Sequence, residues 1–315
     1  MILGLGAIVV GLAPVATSHA EDYDDPDRVY NALRIQRSTF IQRGGRTIRV
    51  VFADGAGGLD RARTLGWVAR AATTVHSYFG QLPVTEYGLL VIAENGNSVG
   101  HATTFGYAGA ITRIRVGTGA DNAAFARDWV LVHEMLHTAL PDMPRRALWL
   151  QEGNATWVEP VARAAVGQLP ISEVWRQAVA GMARGEPGPD DGGMDGTTVH
   201  DRLYWGGATF WLRAEIAILE QSGRRRTLRD AMRAINRESG GNIADWKPEQ
   251  MMAAGDRATG TTALSSLYQE FATRPVHTNL AGLFGRLGVV STPSGIAFDD
   301  RAPLADIRRR ITAPA

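Results

Sequence analysis

An α+β fold is predicted for these 315 residues by three observations. Runs rich in β-branched and bulky apolar residues fall between positions 47 and 116. From Asp121 to residue 273 the apolar residues recur at helical spacing. Clusters of Gly and Pro divide these regions into lengths suited to single elements. Strands first and helices afterwards is the order of a sheet lobe followed by a helical lobe.

Taken in order, residues 47–53 (TIRVVFA) read as a strand. Gly57, Gly58, Leu59 and Asp60 open a helix that runs to Phe79, with Leu65, Val68, Ala72 and Val75 along one face. Residues 87–93 (YGLLVIA) have the continuous apolar character of a buried strand. The glycine-rich stretch 95–110 carries His101, Phe105 and Tyr107, and no element is assigned to it. Residues 111–116 alternate as a strand, with Arg113 and Arg115 expected on a polar face. Helices are expected over 123–140, 146–166, 172–184, 201–221, 227–236, 248–254 and 263–273, with a loop at 185–198 (GEPGPDDGGMDGTT). The tail 295–310 reads as a short strand and then a helical turn begun by Pro303.

Composition narrows the function. An apolar content of 45% with 21% charged residues is that of a soluble globular protein. A net charge of +1 predicts no attraction to nucleic acid or to anionic membrane surfaces. Lys247 is the only lysine, a bias that reads as the base composition of a GC-rich bacterial genome. The runs 224–226 and 308–310 (RRR in each) are read as solvated surface. The absence of cysteine excludes disulfides, thiolate metal sites and a cysteine nucleophile, leaving His and carboxylates as metal ligands.

Residues 1–20 (MILGLGAIVVGLAPVATSHA) read as a signal peptide: an apolar stretch too short and too rich in Gly and Pro for a membrane span, ending in small-x-small before an acidic segment. No Lys or Arg precedes the apolar core, and a buried N-terminal helix is the alternative. Export to the periplasm or the medium is therefore expected, with no membrane span after removal of the leader. The expected division is a leader over 1–20, an α/β lobe over 21–140 and a helical lobe over 141–315.

The strongest motif lies at the junction of the two lobes. His133, Glu134, Met135, Leu136 and His137 form H-E-x-x-H inside an apolar helical run. Spacing of i, i+4 puts both imidazoles on one helical face, where they can share a metal ion, and places Glu134 beside them within reach of a metal-bound water. The alternative is a structural histidine pair. Three ionisable residues in so apolar a run need a common reason for burial. A catalytic zinc needs a third protein ligand and an open position. The metzincin extension is missing, because His137 is followed by TALPDMPRR and Pro141 and Pro144 end the helix. A second helix carries Glu152 with an apolar flank that turns it inward, and an antiparallel pair of helices joined by that short loop would bring it to the metal.

This pattern, H-E-x-x-H followed by W-L-x-E-G and a second Glu seven residues on, resembles the gluzincins, the thermolysin-like clan that includes aminopeptidase N and glycyl aminopeptidase. The resemblance implies zinc held by His133, His137 and Glu152, Glu134 as general base, and Glu159 placed behind the ligands to orient a histidine, with a solvated helix face as the alternative for Glu159. Leu203 to Ala208 (LYWGGA) resembles the Y-x-x-G-A segment of these families, which implies Tyr204 as the donor to the tetrahedral oxyanion; the alternative is a helix-start tyrosine packing its ring. His200, one turn earlier, is a second candidate for contact with the transition state; its alternative is an exposed helix-start residue. The segments around Ser222–Arg233 and Tyr78–Pro83 resemble glycyl aminopeptidase sequences most. The implied fold is a thermolysin-like zincin: a small mixed sheet with one helix, the metal helix, a mainly helical C-terminal lobe, and a cleft between them that takes a peptide or protein substrate.

The resemblance spans about residues 78–236, and this sequence departs from it. The loop between His137 and Glu152 is trimmed, the large N-terminal β-domain finds no counterpart, and no signature for gripping a substrate amino group precedes the motif. His101 is a further candidate for the cleft wall, and His76 is read as a core histidine. Two other functions fit the same residues: a secreted binding protein with the zincin fold and no catalysis, and a metal-dependent amidase acting on cell-wall material.

Overall fold

The computed structural model describes residues 23–314, so the apolar leader lies outside the described residues. The chain begins with α1 (Pro26–Ile35), started by the Asp25 side chain, which accepts from the backbone N–H of Asp27. A hairpin of β1 (Ser38–Arg43) and β2 (Arg46–Phe52) follows, then α2 (Arg61–Phe79), β3 (Glu86–Glu94), β4 (Val99–Phe105) and β5 (Ile111–Gly117). The five strands form one mixed sheet in the order β1-β2-β3-β5-β4. The three central strands are parallel, and β1 and β4 pair antiparallel at the two edges.

Both sheet faces are covered. Val50, Phe52, Leu89, Val91, Ile114 and Val116 belong to the main core with α2 and the later helices. Val51, Leu90, Ile92 and Ile111 pack with Val29 and Leu33 of α1 on the other side. The alternation of residues 111–116 predicts Arg113 and Arg115 on a polar face, but α1 covers that side of the sheet. Arg113 is in fact buried, and it shares Asp24 with Arg115, at 3.2 and 3.0 Å.

Strands β1 and β4 are also additions to the expected set. Both are edge strands, β1 largely exposed and β4 mostly half-buried, and neither carries the apolar run that marks a central strand. The helix expected over 123–140 is two helices, α3 (Asn122–Arg127) and α4 (Val130–His137). Asp128 breaks them apart: its backbone is extended, and its carboxylate accepts from the N–H of Val130 at 3.0 Å and from the Trp67 indole at 2.9 Å.

The remainder is helical apart from one hairpin. It comprises α5 (Leu148–Ala165), α6 (Ile171–Met182), α7 (Gly207–Gln221) preceded by a π-helical turn at Arg202–Gly206, α8 (Leu228–Ser239), α9 (Pro248–Thr259), α10 (Ala263–Thr273), α11 (Leu280–Leu287), the hairpin β6 (Val289–Thr292) and β7 (Gly295–Phe298), and α12 (Ala305–Ile311). Trp149, Trp157, Trp175 and Trp211 are fully buried in this lobe. Helices α5 and α7 cross at a pair of glycines. A Cβ on Gly153 would lie 2.3 Å from the Gly207 backbone, so no larger residue fits either position without moving a helix. Arg308 departs from the expected solvated run: it is buried and donates to the carbonyls of Leu287 and Gly288 at 3.0 and 2.9 Å. Among the described residues no helix is long and apolar enough to cross a membrane.

Candidate metal centre

Helix α4 presents His133 and His137 one turn apart, their rings edge to face with centroids 4.9 Å apart. Helix α5 returns past them and supplies Glu152, whose Oε2 lies 3.3 Å from His133 Nε2 and 3.5 Å from His137 Nε2. One ligand atom from each residue lies within 4.8 Å of the other two, and among the described residues this is the only such trio of metal-ligating side chains. Two imidazoles and one carboxylate converging from two buried helices are the donor set of a catalytic zinc site with an open fourth position.

The electrostatics match a site prepared for a cation. Burial pushes the Glu152 carboxyl up, but hydrogen bonds from both histidines outweigh it and hold the group well below the usual range. Burial lowers His133, with Glu152 pulling the other way. Burial would lower His137 as well, yet the Glu152 hydrogen bond and charge overcome it and raise the group. The ionised form of the carboxylate is thus favoured between the two ring nitrogens, where a divalent ion would be held.

Glu134 is buried beside the trio, and its carboxylate faces the sheet. Its Oε2 accepts from Thr104 Oγ1 of β4 at 2.7 Å. Sequence reasoning did not single out Thr104, which is joined to Glu134 only by the folding of β4 across the N-terminal part of α4. A cavity of about 830 Å3 opens here, walled by β4, by His133, Glu134, His137 and Glu152, and by Tyr204.

The π-helical turn puts Tyr204 over the trio. Its ring stacks on that of His133 at 6.1 Å and on that of His200 at 4.5 Å. Burial and the negative charge of Glu152 push its phenol well up, so the hydroxyl keeps its proton and remains a donor. The turn runs directly into the glycine crossing, where Gly207 seats on Gly153, one residue along α5 from Glu152.

Two expected roles are not what the geometry shows. His200 is 80% exposed, approaches Asp201 at 3.9 Å, and lines a neighbouring cavity rather than the one that holds Glu134. Glu159 does not orient a ligand histidine: it accepts from Arg163 Nη1 at 2.8 Å, four residues along α5, and the pair is buried together. Burial pushes its carboxyl up to about 7, against the pull of Arg163. His101 is exposed on β4 and lines the cleft. His76 is half-buried against the β1–β2 turn at Gly44 rather than in the core. The neighbouring cavity, about 900 Å3, shares Trp129, His133 and Tyr204 with the cleft, so space extends on both sides of the trio.

Solved structures of similar fold are M1 zinc metallopeptidases, in line with the clan that the sequence motifs resemble. An aminopeptidase N family protein from Idiomarina loihiensis is 15% identical, with a TM-score of 0.57 over 81% of this chain and 49% of that one. An M1 zinc metallopeptidase from Deinococcus radiodurans is 18% identical, with a TM-score of 0.52 over 78% of this chain and 52% of that one. A variant of a two-domain M1 zinc metallopeptidase bound to L-arginine is 16% identical, with a TM-score of 0.53 and the same shares of the two chains, 78% and 52%. At such identities the likeness is one of fold, an α+β zincin fold, and the chain spans about half the length of these structures. No protein-family model and no curated protein sequence matches the chain.

Proposed function

We propose that the chain is a zinc-dependent peptidase. One observation carries the reading: His133, His137 and Glu152 converge within 4.8 Å while Glu134 faces the same cavity. Zinc, when bound there, lowers the pKa of a coordinated water toward neutrality and polarises the substrate carbonyl. Glu134 takes the proton from the attacking water and passes it to the leaving nitrogen. Tyr204, whose ring stacks on that of His133, donates to the oxygen on which negative charge develops. The free edge of β4 borders the cleft along residues 100–105, where an extended peptide backbone can pair with the unpaired groups of the strand. Residues 1–20 direct the chain out of the cytoplasm, to the periplasm or the medium.

The test is metal analysis of the purified protein combined with a mixed peptide library. The expected result is one zinc per chain and hydrolysis that stops when a chelator removes it. Stoichiometric zinc without hydrolysis of any peptide would leave a binding protein of the zincin fold, and hydrolysis of non-peptide amides alone would make the chain an amidase.

A further inference from the structure

The contact between Glu134 and the sheet extends beyond one hydrogen bond. Thr104 Oγ1 lies 2.7 Å from Glu134 Oε2, 3.1 Å from the Glu134 carbonyl and 2.7 Å from Thr112 Oγ1. Thr104 and Thr112 are direct cross-strand partners in the β4–β5 register, so both hydroxyls lie on the face turned toward α4. Thr112 is fully buried, and it sits on the same face of the sheet as the buried Tyr87. The direction of the chain follows from counting protons. An ionised carboxylate only accepts, and each threonine hydroxyl carries one proton. Thr104 therefore donates to Glu134, and Thr112 donates to Thr104.

We infer that the Thr112–Thr104 hydroxyl pair is a positioning device for the general base, fixing the Glu134 carboxylate from the cleft-lining edge strand. Glu134 has three side-chain torsions, and α4 restrains only the first of them strongly. A donor on Oε2, itself oriented by a second buried hydroxyl, selects one carboxylate orientation and leaves the other oxygen for the attacking water. The charge-assisted bond from Thr104 is the strong member of the pair, and the bond from Thr112 polarises it further. Because Thr104 belongs to the strand along the cleft, any displacement of β4 by a ligand is transmitted directly to the base. The role rests on the peptidase reading of Glu134, in which a displacement of about 1 Å at the base costs on the order of 100-fold in rate.

The experiment compares zinc-loaded wild type with Thr104→Val, Thr104→Ser and Thr112→Val, reading zinc content, kcat and KM on one peptide substrate, and the crystal structure of each variant. Thr104→Val keeps the side-chain shape without the hydroxyl, and is expected to lower kcat by about 10- to 100-fold with zinc stoichiometry intact and KM within about twofold. Thr104→Ser restores the hydroxyl and is expected to return most of the rate. Thr112→Val is expected to fall between them. Wild-type kcat in Thr104→Val, equal losses in the Val and Ser variants, or losses that track zinc content would overturn the inference. If the wild type cleaves no peptide, the peptidase reading fails separately, and the crystal structures still decide the positioning. Glu134 in a new or split rotamer in Thr104→Val sustains it, and an unmoved carboxylate refutes it. Should Thr104→Val not fold, Thr112→Val carries the same comparison.

Discussion

The two carboxylates in the cleft face different neighbours, and that difference suits each to the role proposed for it. Glu152 lies between two imidazoles that hold it ionised, as a ligand requires. Glu134, the proposed base, accepts from a neutral hydroxyl, that of Thr104. Glu134→Gln is therefore expected to retain zinc and to lose about 100- to 10,000-fold in kcat. Glu152→Ala is expected to weaken metal binding by more than the roughly 10- to 100-fold that loss of an outer-shell partner costs. Chelator competition and steady-state kinetics on both variants distinguish the two outcomes, and the reverse pattern would exchange the roles. The placement of His133, Glu134 and His137 on one helix was legible in the sequence because i, i+4 spacing fixes what shares a helical face. Thr104 was not, because its contact crosses thirty residues and depends on strand register. Glu159 pairs with Arg163, at the same i, i+4 spacing on its own helix, a local partner that takes it away from the histidines.

Secondary structure was legible where an element is buried on all sides and obscure where it lies at an edge. The central strands and most of the helices announce themselves through apolar runs or 3.6-residue periodicity. Edge strands β1 and β4 do not, because one side of each meets solvent and needs no apolar pattern. The break between α3 and α4 was missed for another reason: Asp128 and Trp129 continue the helical pattern by composition, while the tertiary bond from Trp67 to Asp128 favours a cap. The crossing of α5 and α7 makes a sharper prediction. In Gly153→Ala the new Cβ must displace backbone at 2.3 Å rather than a pliable side chain. Overpacking of this kind costs about 1–3 kcal/mol, or roughly 3–10 °C in Tm. The same displacement moves the turn that carries Tyr204. Thermal melts and kinetics on Gly153→Ala are expected to show a lower Tm together with reduced kcat, and a variant with wild-type values of both would mean that the two helices separate freely.

Across the whole molecule one hydrophobic cluster runs from Ile48 in β2 to Ile311 in α12, so the sheet and the helical lobe share a core. Two carboxyls are buried within that shared interior, Glu159 beside Arg163 and Glu215 beneath the Trp157 indole, and burial pushes each up to about 7. A folded-state value above the unfolded value of 4.5 means that the native state binds protons more tightly than the unfolded chain between those limits. The stability each group contributes is complete below pH 4.5 and is lost as pH rises toward 7, levelling off above it. Glu152 acts with the opposite sign in the metal-free protein: its lowered value contributes stability above 4.5 that is lost as pH falls. Glu159 shifts over the same window as Glu215, so a single melting profile mixes the two groups. Comparison with Glu215→Gln isolates one of them, because glutamine still accepts from the Trp157 indole and carries no charge at any pH. The Tm of the variant relative to wild type is expected to rise steadily from pH 4.5 to 7 and then hold constant. The full span is on the order of 3 kcal/mol, or several degrees in Tm. A difference that stays flat across that window would show that Glu215 ionises in the folded protein as it does in the unfolded chain, and that the shared core admits water at α7.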